Sequence, residues 1–333
     1  MIFQDKLIRP FAQSAGVRCR GYSIHLQRVI TDFSSDESFE NAAKKVKEHY
    51  GVEVRRSSVR NIGEKHAHRI LKQKKKLYRE YSQPYKSKYI IGEVDGTMIP
   101  MVHTSKGKDK RKNKTTAWHE ARLSLAYAQG TIQPFYDATT GSTDTAGRQL
   151  AACVKAVGKD KKSRIHCVGD GAPWIADQVE KVFGDTATYL IDFYHLSGYV
   201  AGAASCCSPD DQASWIDGMK TCMKENKFPL LMKALEDHMN EPSQTDHVCE
   251  AARCYNYIIK RTKYIDYKGA IDNKLPIGSG KIESGHRSVI QKRLKISGAW
   301  WTKHNAEAML ALRTVRANEL WNTYWSRPDW QLN

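Results

Sequence analysis

YIIGEVDGT, residues 89–97, has an alternating pattern that closes with Glu93-Val94-Asp95 and then runs into Gly96, and reads as a strand that stops at an acidic residue. A second alternating stretch, Ala121 to Tyr127, and a third near Thr131 to Tyr136 predict a three-strand meander. Residues 145–157 then read as a helix, and Ile165 to Val168 as a buried strand ending in Gly169-Asp170-Gly171. Residues 173–183 read as a helix again, and Thr188 to Phe193 as one more strand. Alternation of strands with helices builds parallel pairing, so the prediction is an α/β fold with a mixed sheet flanked by helices.

Further out the strand signal disappears. From 196 to about 265 helical spacing takes over, with Trp215, Met219, Leu230, Leu231 and Leu235 as apolar positions of a helical insertion domain. Pro276-Ile277-Gly278-Ser279-Gly280 interrupts it, and the chain reads as helical from Lys281 to about Tyr324. At the other end Phe39, Ala42, Ala43 and Val46 mark a helix over 36–50, with Ser34 and Glu37 as a capping box and Gly51 as its stop. Ser57 or Ser58 caps a second helix running to about residue 80, whose buried side is Val59, Ile62, Ile70 and Leu71. Two helices joined by a tight turn resemble a helix-turn-helix. The expected layout is an N-terminal helical module (1–84), the first part of a core (85–195), the helical insertion (196–270) and C-terminal core helices (271–333).

Charge points to a polyanion. Lysine and arginine number 53 against 36 acidic residues, a formal charge of +17. The second predicted helix carries Arg60, Lys65, Arg69, Lys72, Lys74, Lys75, Lys76 and Arg79, with no acidic residue between Lys65 and Arg79 to relieve their repulsion. TSKGKDKRKNKTT (104–116), with Lys110, Arg111 and Lys112 at its centre, is too polar to pack and reads as a loop that orders on nucleic acid. Arg293 is a further candidate DNA contact. No run of about 18 apolar residues occurs, so no membrane partner is expected, and MIFQDKLIRPFAQS lacks the apolar core of a secretion signal. The expected location is the cytoplasm, on the nucleoid. Eight cysteines at irregular spacing read as reduced and structural; His247, Cys249 and Cys254 match no common zinc spacing.

Two carboxylates sit at predicted strand ends before a glycine, Asp95 in EVDGT and Asp170 in VGDGAPW, where a following glycine leaves the backbone open to a phosphate. Glu283 lies in the first turn of the helix opened by GSGKIESGHR. Three hard oxygen donors from separated segments suit Mg²⁺ or Mn²⁺. Glu93 shares the strand face of Asp95 and is a backup carboxylate.

VDGT, then GDGAPWI followed by DFYH, then IGSGKIESGHRSV, in that order, resemble the insertion-sequence DDE transposases of Kra-type bacterial elements, related to the Mutator-like group. The similarity covers roughly residues 20–320. It implies an RNase-H-like core in which Asp95, Asp170 and Glu283 are the catalytic carboxylates and hold two Mg²⁺ or Mn²⁺ ions about 3.5 to 4 Å apart. It further implies double-stranded DNA partners, the element's terminal inverted repeats and the target, and at least a homodimer that pairs two ends. Asp192 and His195, in DFYH, match the C/DxxH motif of Mutator-like relatives, as auxiliaries to the metal ligands or as a capping pair with only local bonds. Arg287 and Gln291, one and two turns past Glu283, are placed to hold target phosphates. His119 and Glu120 open the second strand without a defined facing. Trp174, Trp300 and Trp301 are read as packing rather than as platforms for an extruded base.

A tyrosine recombinase or a His-hydrophobe-His nickase would also be basic and cut DNA, and the chain offers Tyr324 and His66-Ala67-His68, but these histidines fall on a helix, where i and i+2 side chains point about 200° apart and cannot jointly chelate a metal. A plain RNase-H-like nuclease has no use for a DNA-binding module and a long helical insertion. From another class, a non-catalytic or domesticated DNA-binding protein derived from a transposase remains the alternative. Only Cys19 precedes residue 150, whereas such transposases often begin with a cysteine-rich zinc-binding stretch, and this departure reads as a shortened copy.

Overall fold

The computed structural model describes residues 21–81, 87–104, 114–239 and 249–326. Among these, a five-stranded sheet carries the molecule: β1 (Tyr89–Thr104), β2 (Lys114–Ala128), β3 (Phe135–Thr139), β4 (Arg164–Gly169) and β5 (Ala187–Ile191), in the order β3-β2-β1-β4-β5. The first three strands are antiparallel, and β4 and β5 run parallel to β1. The fold is therefore α/β with a mixed sheet, and β1 is the strand at which the pairing changes from antiparallel to parallel.

Three expectations about the strands are corrected. β1 does not stop at Asp95 but continues to Thr104, pairing with β2 residue by residue from Ile90↔Ala128 to Thr104↔Lys114. Gly96 pairs with Arg122 inside this ladder, and a side chain there would collide with Glu120. The glycine lies inside the ladder, where the Glu120 side chain folds over it, and is not a strand end. The third strand begins at Phe135, later than read.

Helices cover the sheet because their apolar stripes match its faces. α4 (Thr143–Ala156) buries Ala146, Leu150, Cys153 and Val154, and α5 (Pro173–Phe183) buries Ile175, Ala176 and Val179. Each fully buried Leu, Ile or Val contributes about 1.5–3 kcal/mol. After β5 the chain is helical through α6 (Phe193–Cys207), α7 (Gln212–Lys224), α8 (Phe228–Glu236), α9 (Glu250–Ile259) and α10 (Tyr267–Asp272). The C-terminal run is not one helix. α11 (Gly280–Gly285) passes into a π-helical turn, His286–Gln291, and a short α12 (Lys292–Leu294). Gly298, at φ +74°, lies in the break before Thr302 caps α13 (Lys303–Ala317), and α14 (Trp321–Trp325) follows.

At the N-terminal side three helices pack together: α1 (Ile24–Asp36), α2 (Phe39–Tyr50) and α3 (Arg56–Glu80). Ser38, not Ser34, caps α2, accepting from Asn41 N; Ser34 is buried within α1, where its hydroxyl donates to Thr31 O. Gly51 ends α2 at φ +64°, a conformation open to glycine. Ile30, Ala42, Val46, Val54, Val59 and Ile62 form a small core of their own, while Ala67, Ile70 and Leu77 further along α3 belong to the main core. One helix thus serves two cores. Their seam is polar: buried His66 lies 2.7 Å from Tyr324 Oη and 3.0 Å from Gln27 Oε1. Among the described residues no helix is long and apolar enough to cross a membrane.

Candidate functional site: a carboxylate cleft

Parallel strands point their carboxyl ends the same way, and here that end gathers acids. Asp95 lies two residues past the last β1–β4 pair, Asp170 follows β4 and Asp192 follows β5. Glu283, exposed in the first turn of α11, faces them across a cleft of about 370 Å³. The cleft is lined by Asp95, Asp170, Asp192, Glu283, His195, Tyr194 and Ser279, with Val94, Gly169 and Ile282 as its apolar floor. Neither lysine nor arginine lines it, although the chain carries a charge of +17.

The carboxylates are partly committed. Asp95 Oδ1 accepts Gly96 N at 2.7 Å, and its Oδ2 lies 3.2 Å from Nε2 of buried His286. Asp170 Oδ1 accepts Ala172 N at 2.9 Å. Among the described residues neither Asp170 nor Glu283 forms an ion pair. Asp192 is different. Its Oδ1 caps α6 by accepting Tyr194 N and His195 N, and its Oδ2 accepts Ser279 N at 2.6 Å and Ser279 Oγ at 2.5 Å. With both oxygens occupied and only 7% exposure, Asp192 is a clasp that holds the segment leading into α11. His195 stands exposed at the cleft rim.

Glu93 is not a spare ligand. It is buried, accepting Ile282 N at 2.7 Å and Tyr127 Oη at 3.2 Å, and burial pushes its carboxyl up to about 7. Its bond to Ile282 ties β1 to the residue before Glu283. The Asp170-Gly171 turn is clamped from two sides: Tyr257 Oη donates to Asp170 O at 2.8 Å and Arg261 Nε to Gly171 O at 3.0 Å from outside the sheet, and Gly171 N donates to Oη of Tyr189 in β5 at 3.0 Å. Gly171 adopts φ +84°, and a side chain there would strike Tyr257. Its role is to admit the clamp, where sequence reading had reserved the open backbone for a phosphate.

Other sequence candidates separate. Arg287 and Gln291 are not among the residues lining the cleft, and the π turn His286–Gln291 carries Gln291, at its end, off the helical line of Glu283. Arg287 is exposed and Gln291 half-buried. Two expected DNA contacts are spent inside the protein. Arg293 is 1% exposed, donates to Ser34 O and lies 4.7 Å from the rings of Phe39 and Trp301. Lys74 Nζ is 2.7 Å from Oδ1 of buried Asp137. Arg60, Lys65, Lys72, Lys75, Lys76 and Arg79 remain on the surface and Arg69 is half-buried. Lys110, Arg111, Lys112 and His247 lie outside the described residues. Trp301 is packed, Trp174 is half-buried under Arg122, and Trp300 is 53% exposed.

Sequence reading missed His286, Ser279 and the Tyr257–Arg261 clamp. The first two lie within the quoted IGSGKIESGHR; only the π turn and the Asp192 clasp give them partners. The clamp comes from the insertion helices, and nothing in their local pattern marks it.

For a divalent cation the donor chemistry fits: three carboxylates, hard oxygen donors, in a polar cleft without competing cations. Their convergence is incomplete, since among the described residues no three His, Cys, Asp or Glu side chains stand together as a ready ligand set.

Fold and cleft together define a class: an α/β protein with a mixed sheet that presents a carboxylate cleft at the carboxyl ends of its parallel strands. Within that class the chain belongs to UPF0236, an uncharacterised protein family, matched over residues 23–329. It is 24% identical over 325 residues to the UPF0236 protein in vanSb 3'region of Streptococcus gallolyticus, covering 96% of this chain and 70% of that protein. It is 25% identical over 296 residues to UPF0236 protein TTE2489 of Caldanaerobacter subterraneus subsp. tengcongensis, covering 87% of this chain and 58% of the relative. A further relative from that organism, 22% identical over 296 residues, carries a name that joins 11 locus designations; the match covers 87% of this chain and 57% of the relative. The chain thus spans a little over half the length of the Caldanaerobacter relatives.

Proposed function

We propose that this chain is a DDE-type transposase that cleaves and transfers DNA strands with the help of divalent cations. The observation that carries the reading is the cleft itself: Asp95, Asp170 and Glu283, contributed by three distant segments, line one cavity that lysine and arginine avoid in a strongly basic protein. The sheet order β3-β2-β1-β4-β5, a meander followed by two parallel strands, is the arrangement expected of an RNase-H-like core, and the helices between β5 and α11 fit an insertion domain. A relative whose name joins 11 locus designations in one organism fits a sequence carried in many copies, as a mobile element is.

In this reading Asp95, Asp170 and Glu283 hold Mg²⁺ or Mn²⁺. The bound ions supply Lewis acidity that generates the nucleophile and offsets charge on the reacting phosphate. Asp192 positions α11 through Ser279, Glu93 does so through Ile282, and the Tyr257–Arg261 clamp fixes the turn behind Asp170. The exposed cations of α3 bind duplex phosphates, and a homodimer or larger assembly pairs two element ends. DNA binding without cleavage is the second reading, favoured by the absence of a ready ligand set among the described residues.

Cleavage of labelled element-end DNA in Mg²⁺ or Mn²⁺ separates the two. Asp170→Asn is expected to lower cleavage by on the order of a thousandfold while DNA affinity stays unchanged. Cleavage that survives this substitution removes the metal assignment; binding with no cleavage by either protein selects the second reading.

A further inference from the structure

A second groove, of about 680 Å³, opens beside the carboxylate cleft on the insertion helices. Its wall is a stack. The Tyr199 and Tyr257 rings lie 4.1 Å apart at 22°, Arg261 covers Tyr257 at 4.0 Å, and Arg253 lies 5.5 Å from Tyr199. Arg253, Asn256 and Lys260 line the same groove and are exposed at spacings of three and four, one helical face of α9 and its C-cap. Glu250, 3.4 Å from Arg253, is the one acid in the lining, against three cations.

The two cavities have opposite charge and share a wall. Tyr257 and Arg261, which line the groove, are the residues that clamp Asp170 O and Gly171 O. The ring of His195, on the cleft rim, lies 5.6 Å from Tyr199 and 6.0 Å from Tyr257. A phosphodiester strand with one phosphate over the carboxylate cleft therefore meets cations at its neighbouring phosphates when it runs toward α9. Paired bases within a duplex keep their faces stacked, whereas an unpaired strand offers both phosphates and open ring faces. The exposed guanidinium of Arg253, which lies over the Tyr199 ring at the end of the stack, is a surface on which such a base stacks.

We infer that this groove binds single-stranded DNA, the unpaired flank next to the strand break, and that the insertion helices guide this strand away from the cleft. The inference deepens the transposase reading and rests on it for the identity of the strand. Binding of the full chain is measured by fluorescence anisotropy over a range of salt without divalent ions. The probes are a labelled duplex with an unpaired extension and the same duplex with blunt ends.

The native chain is expected to prefer the extended probe. The surface double variant Arg253→Ala/Lys260→Ala should bind that probe about tenfold more weakly while its blunt-duplex binding holds. The salt slope on the extended probe should fall by about 0.7 for each phosphate that the variant no longer neutralises. Lys260→Gln alone, a change at an exposed helix end, should free one phosphate. Equal weakening on both probes, or none on the extended one, overturns the inference. If the chain cuts no DNA yet shows the extension preference and the double variant abolishes it, the transposase reading fails and the groove stands. If it cuts DNA through Asp170 and the double variant binds as the native chain does, the groove fails and the transposase reading stands.

Discussion

Asp137, within β3, and Asp170, just past the end of β4, are treated in opposite ways. Asp137, in β3, is 3% exposed, accepts Ala138 N and has Lys74 Nζ 2.7 Å from Oδ1. Asp170 opens into a cleft with Asp95, Asp192 and Glu283 and has no ion-pair partner among the described residues. A buried carboxylate that serves the fold must be matched, by a cation as at Asp137 or by hydrogen-bond donors as at Asp192 and Glu93, because an unpaired charge in the interior costs several kcal/mol. A carboxylate that serves a ligand is kept half-open and away from lysine and arginine. With cations in excess by the formal charge of +17, their exclusion from one cleft sets Asp95, Asp170 and Glu283 apart from Asp137, while Asp192 on the same lining is held by Ser279.

The comparison breaks most visibly at Lys74. Lys74→Met leaves Asp137 buried without its cation, and the expected destabilisation is about 3–5 kcal/mol by urea unfolding. Lys74→Met combined with Asp137→Leu should recover most of it. Asp170→Asn should leave the midpoint unchanged or raise it by relieving repulsion in the cleft; a destabilisation matching that of Lys74→Met erases the distinction.

His66 shows α3 handling a third kind of charge, one suppressed by burial. Desolvation, helped by Lys65 and Arg69, lowers its pKa to about 3. Below about pH 6.5 the unfolded chain takes up a proton that the native imidazole refuses. Stability should therefore fall from about pH 6.5 toward pH 3, by about 1.4 kcal/mol per pH unit from this group. His66→Gln should flatten that part of the profile, and an unchanged profile rules out His66 as its source. The smallest effect belongs to the surface cations: Lys72→Gln/Lys75→Gln should leave stability unchanged and lower the duplex-binding salt slope by at most about 0.9 for each phosphate left unneutralised. An unchanged slope makes this face of α3 a solvated surface.

Period and punctuation made much of the fold legible. Tyr89 to Asp95, read as a strand, lies in β1, although the sheet buries Ile90 to Val94 on both faces; Pro173 opens α5 as read, and Gly51 ends α2. The misreadings share a cause, which is that a local signal was decided by a distant partner. Gly96 looked like a strand end until β2 paired across it. Ser34 looked like a cap, but α1 buries it. Lys74 and Arg293 looked like surface cations, and only the fold brings Asp137, Ser34 O and Trp301 to them. The cleft carboxylates were visible because each lies at a break in pattern. His286 and the Tyr257–Arg261 clamp were not, since their meaning depends on which strand end they reach.

The most direct test of the central claim needs no knowledge of the DNA sequence. Mn²⁺ binding to the native chain, followed by the electron paramagnetic resonance of the free ion, should show saturable sites that Asp95→Asn, Asp170→Asn and Glu283→Gln each weaken, with unfolding midpoints preserved. Mn²⁺ binding that is identical in all four proteins would contradict the assignment of this cleft as a metal centre.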